Sequence, residues 1–134
     1  MSASVAYLDT SAFVKLIVAE PESSALGLRL RRWPDRASAT LLRTETVRAL
    51  RQSANEQLIG HARRLFTTIT LIRLDEPLLD RAGDLGPGDL RSLDAIHLAA
   101  ALSIGPELGV ILTYDSRLRD AAAAQGCPVE SPGA

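Results

Sequence analysis

Val5-Ala6-Tyr7-Leu8-Asp9-Thr10-Ser11-Ala12-Phe13-Val14-Lys15-Leu16 sets four apolar residues against an acid, two hydroxyls and then a helical pattern. The apolar run is too short for a helix, whereas Phe13, Leu16 and Ile17 recur at i, i+3 and i+4, so the stretch reads as strand, tight turn, helix. In an open α/β sheet, ligands bind in the crevice beyond the carboxyl ends of the strands, and Asp9 stands at that end of the first strand. Alone, Asp9 also fits a plainer role, as an acid facing the positive end of a helix that Thr10 or Ser11 caps.

Outward from that stretch the pattern alternates. Pro21 stops the first helix, and a second helical run extends from Ser23 to about Arg32, with Leu26 and Leu30 on one face and Arg29, Arg31 and Arg32 on a solvated one. Trp33-Pro34-Asp35 makes a turn, and Ala37-Ser38-Ala39 a short strand. Thr40 begins a helix to about Ser53, and Asn55 caps another to about Phe66. The β-rich run from Ile69 to Leu74 reads as a strand. Pro77 starts a helix to about Leu85, and Gly86-Pro87-Gly88-Asp89 is a loop. Ser92 caps a helix from Leu93 to Leu102 that is apolar nearly all round and therefore buried. The apolar run from Val110 to Tyr114 is the kind of strand buried on both faces. Asp115 follows it, then a helix stopping at Gly126 and a short edge strand at Pro128-Val129-Glu130. Strands alternating with helices predict an α/β fold, a three-layer sandwich with a mainly parallel central sheet flanked by helices. With no repeat, low-complexity segment or linker, residues 1–134 read as one domain.

The composition is that of an ordinary globular protein, 46% hydrophobic and 23% charged, but only 4% is aromatic, so aliphatic side chains must do most of the packing. No apolar run approaches the roughly 20 residues that span a bilayer, and no basic segment leads into one at the start, so the expectation is a cytoplasmic protein without a membrane partner. Cys127 is the one cysteine, which excludes an internal disulfide or a cysteine-built metal site. Lys15 is the one lysine among 15 basic residues. Arginine's planar fork suits phosphate, although a GC-rich genome also enriches arginine.

Four acids ask for more than a surface role. Asp9 and Asp115 follow apolar strands, so a parallel sheet delivers both to one edge. Asp94 lies in the first turn of the buried helix, where it suits the helix dipole but also needs a partner. Glu45 sits in a helix where Arg48 offers an i, i+3 pair, yet Leu41, Leu42 and Ala49 place it at the border of the core. Like charges gathered together repel unless something holds them. Mg²⁺ or Mn²⁺ does so, because these hard cations take oxygen ligands, and two of them about 3.5–4 Å apart assist phosphodiester cleavage by activating water and stabilising the departing oxygen. Ser11 and Thr113 are suited to orient the acids by donating hydrogen bonds. His61 and His97 lack zinc-type spacing, and His97 reads as a helix residue packed near the core. If four of the 16 acids share one pocket, the 15 basic residues outnumber those left outside, which suits a polyanionic substrate.

Leu8-Asp9-Thr10-Ser11-Ala12, Thr44-Glu45-Thr46-Val47, Leu93-Asp94-Ala95-Ile96-His97-Leu98-Ala99 and Thr113-Tyr114-Asp115 with Leu118 occur in the order found in PIN-domain ribonucleases. The chain resembles that family, and specifically the VapC toxins of bacterial type II toxin–antitoxin modules, over most of its length. The resemblance implies a metal-dependent endoribonuclease that cuts tRNA or ribosomal RNA and so arrests translation. It implies Mg²⁺ or Mn²⁺ held by Asp9, Glu45, Asp94 and Asp115, with Asp9 and Asp94 the surest ligands and Thr113 assisting. It also implies a VapB-type antitoxin covering the site and a pairing of two toxin chains. Arg117 and Arg119 stand after Asp115 where some relatives carry a further acid. Two other readings compete. A Mg²⁺-dependent phosphatase or phosphoacceptor wants a second acid close to the first strand's Asp, where this chain has Thr10-Ser11. A catalytically inactive binding module would keep the fold and lose the chemistry.

Overall fold

The computed structural model describes residues 3–134. Five strands form one parallel sheet: β1 (Val5–Leu8), β2 (Asp35–Ala39), β3 (Thr70–Ile72), β4 (Leu108–Leu112) and β5 (Val129–Glu130), in the order β3-β2-β1-β4-β5. The helices are α1 (Thr10–Val14), α2 (Ser23–Leu30), α3 (Leu42–Gln52), α4 (Ile59–Phe66), α5 (Glu76–Asp84), α6 (Ser92–Leu102) and α7 (Ser116–Ala124). The chain runs outward through β2 and β3, then returns to build β4 against the other side of β1. The direction of winding therefore reverses between β1 and β4, and in sheets of this kind the crevice beyond that reversal is where ligands bind.

Alternation along the strands sorts the core into layers. Tyr7 and Ile111 point to one face, where they meet Leu78 and Ala82 of α5, Leu98 to Ala101 of α6, and Leu118 and Ala121 of α7. Ala6, Leu8, Val110 and Leu112 point to the other, against Ala12, Leu26, Leu30 and Trp33. A third cluster, with Phe13, Leu42, Leu50, Ile59, Ala62 and Phe66, packs α1 against α3 and α4. Phe13 and Phe66 stack with ring centroids 5.6 Å apart. The run of alanines in α6 substitutes for aromatic bulk by letting the helix lie close to the sheet. The β5 edge is tied down by Arg29, whose guanidinium donates to both carboxylate oxygens of Glu130 at 2.6 and 2.8 Å.

Several boundaries depart from the sequence reading. The first helix ends at Val14 rather than near Pro21, because the chain tightens into three-residue turns, with the N–H groups of Lys15, Leu16 and Ile17 donating to Ala12, Phe13 and Val14. Branched Val14, Ile17 and Val18 are poor at sustaining a regular helix. The third helix starts at Leu42, two residues after Thr40. Asn55 caps no α-helix: it precedes a 3₁₀ turn and donates to Ser53 instead. Ser92 is already inside α6 and makes no cap, while Arg91 occupies the cap position. Asp75, missed in the sequence, caps α5 by accepting the Leu78 N–H at 3.0 Å, and Pro77 sits second in that helix. Strand β4 runs Leu108–Leu112, so Asp115 follows it after two connecting residues. Among the described residues no helix is long and apolar enough to cross a membrane.

Candidate metal centre

Asp9 follows β1 at once and sits at the point of reversal, its N–H donating to the Leu112 carbonyl of β4 at 3.3 Å. It is 4% exposed, and its carboxylate is held by three donors. Oδ1 accepts from the Ser11 hydroxyl at 2.7 Å and the Ala12 N–H at 3.0 Å, and Oδ2 accepts from the Thr113 hydroxyl at 2.7 Å. Asp9 itself therefore caps α1, where the sequence suggested Thr10 or Ser11. Ser11 and Thr113 serve a second purpose, because they accept from the N–H groups of Tyr114 and Asp115 at 2.8 and 3.0 Å. Each hydroxyl thus couples the end of β1 to the loop after β4.

Asp115 caps α7 with Oδ1, accepting from the N–H groups of Arg117 and Leu118 at 2.9 and 3.3 Å, which leaves Oδ2 facing Arg91 at 3.7 Å. Asp94 lies in the first turn of α6 and close enough to Asp115 and Asp9 for their charges to be felt. Burial first, then the charge of Asp115, pushes its carboxyl above the ordinary range, against the opposing pull of Arg91. Its Oδ2 is buried and accepts no hydrogen bond; the nearest cation is Arg91 Nε at 3.8 Å. Burial likewise raises the Asp9 carboxyl, only partly offset by the His97 ring and by its hydrogen-bond donors.

Glu45 is turned toward different partners. Its Oε1 accepts from the Thr10 hydroxyl at 2.6 Å and lies 2.7 Å from Nε2 of His97, whose Nδ1 is 2.7 Å from the Tyr7 hydroxyl. Burial pushes the Glu45 carboxyl up, but the bonds from His97 and Thr10 outweigh it and leave the group below its usual value. Arg48 is not among its partners. His97, rightly read from the sequence as a helix residue packed near the core, and Tyr7 were given no role at the site, although both had a local signal: His97 is three residues after Asp94, on the same helix face, and Tyr7 is two before Asp9, on the same strand face.

Among the described residues, no three Asp, Glu, His or Cys side chains form a ready-made metal cage. A hard cation does not require three protein ligands. Mg²⁺ keeps several waters and is typically held by one or two carboxylates together with substrate phosphates. The donors converging here are all oxygens, the set that suits Mg²⁺ and Mn²⁺. An acidic oxygen buried without a donor is costly, and a cation would satisfy the one on Asp94. Arg91 does not close the site, since its side chain is 65% exposed and meets both acids only at salt-bridge distance.

The PIN domain family matches residues 6–124. Ribonuclease VapC46 of Mycobacterium tuberculosis is 48% identical over 94% of this chain and 96% of that protein. Ribonuclease VapC47 of the same species is 40% identical over 96% and 97%. The crystal structure of M. tuberculosis VapC20, described as a sarcin–ricin loop cleaving toxin, superposes with a TM-score of 0.70 at 21% identity, covering 89% of this chain and 94% of that one. That likeness confirms a shared three-layer fold. Family match and relatives agree along nearly the whole length, and the chain belongs to the PIN-domain family, among its VapC ribonucleases.

Proposed function

We propose that this VapC ribonuclease cleaves tRNA or ribosomal RNA with Mg²⁺ or Mn²⁺ held by Asp9 and Asp94, and that Glu45 and Asp115 complete the binding site. The observation that carries the reading is Asp94, which has one oxygen buried without a donor and lies near enough to Asp115 and Asp9, beyond the β1–β4 reversal, to feel their charges. A bound divalent ion supplies an activated water and neutralises charge on the phosphodiester as it is cut. The protein supplies the rest. Ser11 and Thr113 fix the Asp9 carboxylate in place, and the caps on α1 and α7 fix the backbone that carries Asp9 and Asp115. Arg91, exposed at the rim beside both Asp94 and Asp115, presents a guanidinium fork to an incoming phosphate. As a VapC toxin, the chain would be held in check by a VapB-type antitoxin over this site, and two copies would pair.

Purified protein incubated with total RNA tests the metal requirement. Cleavage should disappear in EDTA and return on adding excess Mn²⁺ or Mg²⁺; cleavage indifferent to EDTA would overturn the reading. A phosphatase is disfavoured by Thr10-Ser11 in place of a second acid, and the intact set of four carboxylates speaks against an inactive binding module.

Thr113→Val offers a finer check. Valine keeps the shape and removes both the donor to Asp9 Oδ2 and the acceptor for the Asp115 N–H. Loss of such an orienting partner costs about 10- to 100-fold in metal affinity. Calorimetric titration with Mn²⁺ should show a loss of that order, and an unchanged affinity would count against Thr113 as an orienting group.

A further inference from the structure

Glu45 takes no hydrogen bond from its own helix. Asp9 and Asp115 are pinned by backbone N–H groups of their own helices, whereas Glu45 projects from α3 on a longer side chain with more rotamer freedom to lose. Both contacts that order it fall on one oxygen. Thr10 and His97 reach Oε1 from α1 and α6, and among the described residues no donor reaches Oε2. His97 is 3% exposed and Tyr7 fully buried, their rings edge to face with centroids 5.9 Å apart. The Tyr7 hydroxyl, 2.7 Å from Nδ1, can donate to it, which places the ring proton on Nε2 and aims it at Glu45.

We propose that His97 is a positioning residue: a relay from the Tyr7 hydroxyl through the His97 ring holds Oε1 of Glu45 and so presents Oε2 to the divalent cation. This rests on the metal-dependent reading above. A carboxylate bound on one oxygen by protein and on the other by metal matches the rule that ligating groups are themselves hydrogen-bonded. The pair also has a plainer possible role, which is to satisfy polar atoms inside the sandwich, and the test must separate the two.

Three variants do so: His97→Leu, which fills the volume without a donor; His97→Gln, whose amide nitrogen lies near the place of Nε2; and Tyr7→Phe, which removes one hydroxyl and preserves packing. Mn²⁺ affinity is read by calorimetry on the full chain, with thermal melting and RNA cleavage alongside. The relay predicts about a 10- to 100-fold weaker Mn²⁺ affinity for His97→Leu, recovery of most of it in His97→Gln, and a several-fold loss in Tyr7→Phe. Should His97→Leu fail to fold, Tyr7→Phe and His97→Gln decide: the proposal requires a weakened affinity in the first and an affinity within tenfold of wild type in the second. Mn²⁺ affinities within twofold of wild type in the folded His97→Leu or Tyr7→Phe proteins would overturn it, as would glutamine behaving no better than leucine. Asp9→Asn and Asp94→Asn run in the same series. If those two lose Mn²⁺ binding while the relay variants keep it, only the positioning role falls. If those two also bind as wild type, the metal reading falls with it.

Discussion

Asp9→Asn is expected to lower RNA cleavage by at least about 100-fold while raising the melting temperature of the metal-free protein by a few degrees. The first effect has a floor: partners that merely orient a metal ligand cost about 10- to 100-fold when removed, and a direct ligand should cost no less. The second follows from burial. Asp9 is nearly inaccessible, and burial raises its carboxyl above the ordinary range despite the opposing pull of His97 and its three donors. An acid whose folded-state pKa lies above the unfolded value stabilises the fold while protonated, and this contribution is lost as pH rises through the folded value. Asparagine is of similar shape and carries no charge. It keeps an oxygen for Ser11 and Ala12, and its amide donates to Thr113 in the reverse sense. The variant should thus match wild type in acid and gain on it from the ordinary carboxylate range upward, to about 1 kcal/mol, or roughly 4 °C. Glu45, held below its usual range, has the opposite pH slope, but it is present in both proteins and largely cancels. Cleavage assays and melting curves across pH check the pair. Wild-type cleavage by the variant would remove Asp9 from the chemistry, and a lower melting temperature at neutral pH would mean that the three hydrogen bonds outweigh the burial of charge.

Gly109→Ala should be the most damaging methyl group that can be added to the sheet. Strand β4 pairs with β1 through Val5 opposite Leu108 and Ala6 opposite Val110, so Gly109 is an extra residue in a bulge. A Cβ there would run into the indole Nε1 of Trp33 and lie 2.6 Å from the Ala3 carbonyl. Trp33 cannot step aside cheaply, because it is buried against Leu26 and Leu30 and carries the Arg29 guanidinium 4.8 Å over its ring. Overpacking costs typically 1–3 kcal/mol, and a collision with backbone as well as a ring belongs at the upper end, about 3 kcal/mol or roughly 10 °C. Gly27→Ala is the control. Gly27 is exposed inside α2 with nothing within 4 Å of an added Cβ, so alanine there should stabilise by about 0.8 kcal/mol through helix propensity. Thermal melts of the two variants should move in opposite directions; a Gly109→Ala protein as stable as wild type would mean that the bulge has room the packing does not show.

Much of the architecture was legible because it is encoded over short distances. Four apolar residues ending at Asp9, the apolar run around Val110 to Leu112 and the helical spacing of Leu26 and Leu30 are read within a turn or a strand, and the elements formed where those patterns lie. The ends of elements were less legible, because several caps depend on competition between neighbours. Asp9 outcompeted Thr10 and Ser11 for the end of α1, since its carboxylate reaches the Ala12 N–H while Ser11 donates back to it. Thr10 was released to serve Glu45.

The sequence by itself determined the alternation of strands and helices, the parallel sandwich that follows from it, and the placing of acids just beyond apolar strands, because each depends on periodicity or adjacency along the chain. Only the tertiary structure decided which partners those acids have. Asp9 and Thr113 are 104 residues apart and touch because β1 and β4 are neighbours, and Glu45 finds His97 across 52 residues because α3 and α6 meet at the same end of the sheet. Periodicity along a chain says which face a side chain occupies; only the order in which strands assemble says what lies opposite.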